Sequence, residues 1–173
     1  AGFTSTYYKQ TTTDHRIDRT KPSHRVQARS LDGGITWKVE ADQPYSDRKD
    51  ESKPVALKEP LDFTAPDFAL MFRFKGLHVG PSWFYTTHDR CRTWQGPFEF
   101  AVAGVDGIST RTDLIPLGPR DCLMFGSCGK KSDNKEGRVF CARTTDGGLT
   151  WKLQSYIGEE PAPGGFAIMP SSV

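Results

Sequence analysis

Thr144-Thr145-Asp146-Gly147-Gly148-Leu149-Thr150-Trp151 decides how this chain is read, because the sequence writes it three times. The earlier copies are Ser30-Leu31-Asp32-Gly33-Gly34-Ile35-Thr36-Trp37 and Thr87-His88-Asp89-Arg90-Cys91-Arg92-Thr93-Trp94. All follow Ser/Thr-x-Asp-x-Gly-x-Thr-Trp, with one departure, Cys91 in the glycine position. The intervals from Asp32 to Asp89 and from Asp89 to Asp146 are both 57 residues. Three such matches in one register indicate a structural repeat, and a period of this size indicates a propeller or a solenoid.

The pattern has a physical logic. A carboxylate at the third position can accept hydrogen bonds from backbone N–H groups of its own tight turn. Glycine two residues on supplies a positive φ that other residues adopt only at a cost. The threonine hydroxyl ties the turn closed, and the tryptophan offers a large apolar plate for burial against a neighbouring repeat. Cys91 therefore predicts the least regular of the three turns.

Working outward from the turns, β-branched and aromatic runs punctuated by Gly, Pro and Asp give four strands per repeat. In the last repeat they fall at 113–117, 121–128, 137–144 and 151–156. In the middle repeat they fall at 62–65, 67–74, 81–87 and 94–100. The first repeat shows three, at 2–9, 25–30 and 35–40, and 165–170 reads as the first strand of a further repeat. No helical periodicity competes. The expected fold is all-β, a β-propeller of four-stranded blades with three blades in this chain, at about 1–57, 58–112 and 113–163 with 164–173 following, in a single domain.

The turn is the Asp box, and the chain resembles the sialidase (neuraminidase) superfamily, in which this bacterial neuraminidase repeat recurs at blade spacing. The resemblance implies half of a six-bladed ring. It also implies that Asp32, Gly34, Trp37, Asp89, Trp94, Asp146, Gly148 and Trp151 are structural, on the face away from the chemistry. Three blades leave open sheet edges. Either the sequence is part of a longer propeller, or two copies form a homodimer that completes the ring.

Composition narrows the alternatives. The 173 residues carry a formal net charge of +2, with 23 basic and 21 acidic residues interspersed, so there is no electrostatic footprint for nucleic acid. No apolar run reaches the roughly 18 residues of a membrane helix. The first residues carry no visible signal peptide, although the chain begins without Met. Cys91, Cys122, Cys128 and Cys141 lack metal-ligand spacing and read as small buried thiols, a disulfide among them being the alternative. No metal or other cofactor is expected, and the sequence does not indicate a compartment.

Chemistry is expected on the loops opposite the Asp boxes: 9–24, 41–61, 75–80, 101–112, 129–136 and 157–164. The resemblance implies an arginine triad around a substrate carboxylate, a Tyr–Glu nucleophile pair and an aspartate acid/base. Guanidinium suits the first task through its fixed charge and bidentate fork. By position, Arg111 is the candidate triad arginine, with Asp113 beside it, and Asp14 or Asp18 the candidate acid/base. His15, Arg16, Arg19, Arg73, Glu59 and Asp62 are candidate substrate-binding residues. The Phe/Tyr-Arg-Ile-Pro motif of the family is absent, and no Tyr–Glu pair can be named. Three readings follow: a sialidase-like glycoside hydrolase acting on acidic sugars with its site incomplete in one chain, a non-catalytic carbohydrate- or protein-binding propeller, or an inactive remnant. An enzyme predicts convergent arginines and a perturbed carboxyl group; a binder predicts an aromatic-lined groove.

Overall fold

Strands and tight turns account for the described chain, which is all-β with antiparallel sheets. The computed structural model describes the protein except for residues 1, 6, 11–14, 19, 23, 41–52, 77–79, 111–112 and 173, and gives backbone alone for 2–5, 15–16 and 24–26. The chain divides into two compact units, Ala1–Glu51 and Ser52–Val173.

In the first unit the strands are β1 (Gly2–Ser5), β2 (Tyr8–Gln10), β3 (His15–Ile17), β4 (His24–Arg29) and β5 (Lys38–Glu40). They form a sheet in the order β1-β4-β5 and a separate β2-β3 hairpin. The expected strand 2–9 is thus divided between two sheets, and the expected loop 9–24 contains a strand that pairs Tyr8 with Ile17. Arg29 and Glu40 join β4 to β5 by an ion pair of 2.7 Å.

The second unit holds two sheets. One is β6 (Ala69–Phe74), β7 (Ser82–Thr87) and β8 (Gln95–Phe100). The other is β9 (Leu114–Pro116), β10 (Cys122–Gly129), β11 (Glu136–Thr144) and β12 (Lys152–Ile157), in the order β12-β11-β10-β9. This last sheet is a four-stranded meander lying within one residue of the expected bounds at every strand end. Alternation along each strand sends Phe72, Phe84 and Phe100 of one sheet and Met124, Phe140 and Ala142 of the other into one core. Trp151 completes it, 5% exposed, edge-on to Phe63 at 6.2 Å and Phe100 at 5.6 Å between ring centroids. Each such aromatic pair contributes roughly 0.5–1.5 kcal/mol beyond its area.

Two expected strands are absent, for local reasons. At 62–65 the Asp62 carboxylate accepts from the N–H and hydroxyl of Thr64 at 2.8 and 2.7 Å, closing an Asx turn ahead of Pro66. That turn outcompetes the strand. The segment before it instead lays Val55 in parallel register with Phe98 of β8. At 165–170 there is no strand; the Ala167 N–H donates to the Gly137 carbonyl at 2.9 Å without forming a ladder. Pro161 and Pro163 interrupt the chain just ahead of this stretch, and Pro170 lacks a donor at its end.

The three repeated turns have one hydrogen-bond plan. Asp146 accepts from the Thr150 N–H at 3.0 Å, the Thr150 hydroxyl at 2.5 Å and the Thr144 hydroxyl at 2.8 Å. Asp89 accepts from the same three groups of Thr93 and Thr87 at 2.9, 2.6 and 2.8 Å. Asp32 does so with Thr36 and Ser30 at 2.9, 2.6 and 2.7 Å. The chain needs two successive positive φ angles here, supplied by glycines at 72° and 86° in the third turn. In the second turn Arg90 and Cys91 adopt 59° and 64° instead, so the plan is kept at the cost of backbone strain. Replacing Cys91→Gly should therefore raise stability by about 1 kcal/mol, read as the midpoint of chemical denaturation. A midpoint that stays put or falls contradicts the strain.

Candidate functional site

The second unit has two ends of different character. One carries the Asp89 and Asp146 turns. The other carries the β6–β7 connection, where Phe74 faces Ser82, and the β10–β11 connection, where Gly129 faces Glu136. At this loop end the segment 108–110 ties the two sheets together. The Ser82 hydroxyl donates to the Ile108 carbonyl at 2.7 Å, and the Ser109 N–H donates to the Ser127 carbonyl at 2.8 Å. The Ser127 hydroxyl donates to the buried Glu136 carboxylate. Buried polar groups are tolerated when paired in this way.

Beside this strap lies a cleft of about 290 Å³. Gly104, Asp106 and Gly107 form one wall, and Lys130, Lys131, Asn134 and Tyr156 the other. The polar run Lys130–Glu136 folds as a turn because the Lys130 N–H donates to the Lys135 carbonyl and the Asn134 N–H to the Lys130 carbonyl, at 2.8 and 3.0 Å. Lys131 stands exposed at the edge. Lys130, by contrast, is 2% exposed, and its ammonium is satisfied by Asp133 at 3.0 Å and by the carbonyls of Ala162 and Gly165. Behind the cleft the Arg138 guanidinium lies on the Tyr156 ring, 3.4 Å from its centroid, and pairs with Glu160 at 3.1 Å. The cleft thus presents an aromatic wall, two planar or charged hydrogen-bonding side chains and a free-standing cation.

The residues expected to form the site are scattered. Arg111, Asp14 and Arg19 lie outside the described residues, and His15 and Arg16 are placed only as backbone on β3. Asp18 holds the N–H and hydroxyl of Thr20 at 3.1 and 2.6 Å, which lower its pKa and commit it to its own turn. Asp113 receives the N–H and hydroxyl of Ser172, both at 2.8 Å, and so anchors the chain's last described segment. Arg73 is exposed at the loop end, with one guanidinium nitrogen turned back to the Phe72 carbonyl at 3.1 Å. Glu59 and Asp62 require a correction. They sit at the Asp-turn end, where the Leu61 N–H donates to the Gly147 carbonyl at 2.8 Å, and both line a cavity of about 460 Å³ with His88 and Phe98. Docking of 60–61 on the third turn carries them away from the loops they were expected to join.

Sequence reasoning missed Lys130, Lys131, Tyr156, Arg138 and Glu160. Their signal was present as the Gly129-Lys130-Lys131-Ser132-Asp133-Asn134 run and as an aromatic at the end of the last strand. The fold was needed to bring them together.

Electrostatics separates structural from reactive groups. The Thr36 and Thr93 hydroxyls and N–H groups hold Asp32 and Asp89 far below the ordinary carboxyl range. At Asp146 burial opposes ionisation, and the bonds from Thr150 and Thr144 outweigh it. Burial is likewise outweighed at Glu160 by the N–H groups of Lys131 and Ser132 and by Arg138. Among the described residues every carboxyl with a resolved shift moves downward, whereas a general acid needs one moved up. Burial pushes the free thiols of Cys122 and Cys128 up to about 12 and about 11, so they stay protonated and inert. The described residues contain no cluster of metal-ligating side chains, and no helix long and apolar enough to cross a membrane.

Taken together, the fold and cleft define an all-β repeat protein with Asp-closed turns at one end of its sheets and a polar, aromatic-walled cleft at the other. Comparisons with family models, with curated proteins and with solved structures return no match.

The turn carboxylates carry a sign for acid stability. Their folded pKa values lie below the unfolded value of 3.8, so their contribution is present above that value and lost as pH falls through the folded pKa. The melting temperature should decline steeply only below about pH 4. A melting temperature independent of pH down to about 2 contradicts this coupling.

Proposed function

We propose that this chain is a segment of a sialidase-like Asp-box β-propeller whose loop end recognises an acidic sugar. In this reading each sheet is a blade: β1, β4 and β5 belong to the first, β6–β8 to the second, β9–β12 to the third. The recurrent turn chemistry and the complete meander of the third sheet support it. The observation that carries the functional part is the cleft at Tyr156 and Lys131. Sugars present an apolar ring face that an aromatic wall covers, hydroxyls that planar amide and carboxylate groups bond, and, when acidic, a carboxylate that a cation attracts.

Binding rather than hydrolysis is what the described residues favour. Two arginines of the third sheet are committed to partners of their own: Arg138 to Glu160 and Tyr156, and Arg143 to Asp121 at 2.6 Å. Every described carboxyl with a resolved shift is lowered, which favours the ionised form over that of a general acid. A glycoside hydrolase activity on acidic sugars would need groups supplied from outside these residues.

Titration with sialic acid and with galactose, followed by NMR shifts of the Gly104–Gly107 and Gly129–Asn134 amides, tests the reading. Sialic acid should bind more tightly, and Lys131→Ala should weaken it roughly tenfold while leaving the melting temperature unchanged. Absence of binding, or equal affinity for the two sugars, contradicts it.

A further inference from the structure

The third sheet is apolar on both faces, and the core takes only one. Cys122, Met124, Phe140 and Ala142, all fully buried, belong to the core shared with the second sheet. The alternate residues Leu123, Phe125, Val139, Cys141 and Ile157 point to the opposite face, where Phe125 is opposite Cys141 and Val139 opposite Ile157. None of these five belongs to that core. Val139 and Cys141 are buried, Leu123 and Phe125 are half-buried, and Ile157 is 44% exposed.

The repeat says what such a face receives. On the second sheet the corresponding face carries Phe84 and Phe100, and Trp151 of the following repeat's turn sits against Phe100. Advancing these two phenylalanines by the 57-residue period gives Cys141 and Ile157. This second face of the third sheet, exposed at Ile157, is therefore the counterpart of the face that Trp151 covers.

At the other end of the sequence the matching plug is exposed. Trp37 occupies the position of Trp151 in a turn with the same hydrogen bonds, yet it is 54% exposed against 5%. Its indole lies back on its own turn, donating to the Gly34 carbonyl at 2.9 Å, a bond that Trp151 does not make, and Leu31, Ile35 and Val39 near it in sequence are 79%, 84% and 59% exposed. Apolar surface gathered in this way marks an interaction site.

We propose that the two surfaces meet between two copies of this chain, Trp37 of each copy seating on the Phe125–Ile157 face of the other. The inference rests on reading the sheets as successive blades, and it assigns that reading a partner. Each copy offers one plug and one receiving face, so two identical contacts close the pair and leave neither surface exposed.

Light scattering on a size-exclusion column at two concentrations should give twice 19.3 kDa for the unaltered chain. Trp37→Ala and Ile157→Arg should each give 19.3 kDa, with far-UV circular dichroism confirming that both fold. An equimolar mixture of the two variants should recover the pair at the higher concentration, because one intact plug still meets one intact face. A monomeric unaltered chain, a pair that survives either substitution, or a mixture that stays monomeric overturns the proposal. Sugar titration of Lys131 is independent of this result: a monomer that binds sialic acid removes only the pairing, and a pair that does not bind removes only the sugar reading.

Discussion

Everything regular in this molecule depends on a carboxylate that closes its own turn. Asp32, Asp89 and Asp146 each take the N–H and hydroxyl of a threonine four residues on and the hydroxyl of a residue two back. The turn fixes where one strand stops and the next begins, and it aims a tryptophan along the sheet. In the third repeat that tryptophan lands on Phe63 and Phe100, so local turn chemistry sets the packing of two sheets. Charge-assisted hydrogen bonds of this kind are strong enough to hold Arg90 and Cys91 in left-handed backbone conformations.

Much of this was legible in the sequence, and the illegible part has identifiable causes. The strands of the third repeat could be placed to a residue because turn, alternation and punctuation agree there. At 62–65 they disagree: an Asp-x-Thr triplet outweighs strand propensity, and the strand does not form. At 165–170 apolar character suggested a strand, but its neighbouring prolines and the contact with Gly137 leave it extended over another sheet's end. A Cβ on Gly137 would lie 2.9 Å from the Cβ of Phe166, which shows how closely this segment is laid down.

The cleft was less legible than the fold because its members come from distant positions with ordinary local roles. Lys130 reads as a loop charge, yet it is a buried pin that holds the carbonyls of 162 and 165. Tyr156 reads as a strand residue, and only the fold sets it under Arg138 and beside Asn134. Asp113, read as a neighbour of catalysis, instead fastens Ser172. Pairing within each loop decides which of the described charged residues stay available to a ligand: Lys130 and Asp133 bind each other, and Lys131 stands exposed.

The most direct test of this account is amide hydrogen exchange at Thr36, Thr93 and Thr150, measured by NMR near neutral pH. These three N–H groups lie at exposed residues, so without the aspartate bonds they would exchange at the rate of an unstructured chain. The account predicts that all three are protected, and that protection at Thr150 alone is lost in Asp146→Ala, which removes the acceptor. Rapid exchange at all three in the unaltered protein would contradict it, because the turns would then not be what orders the sheets.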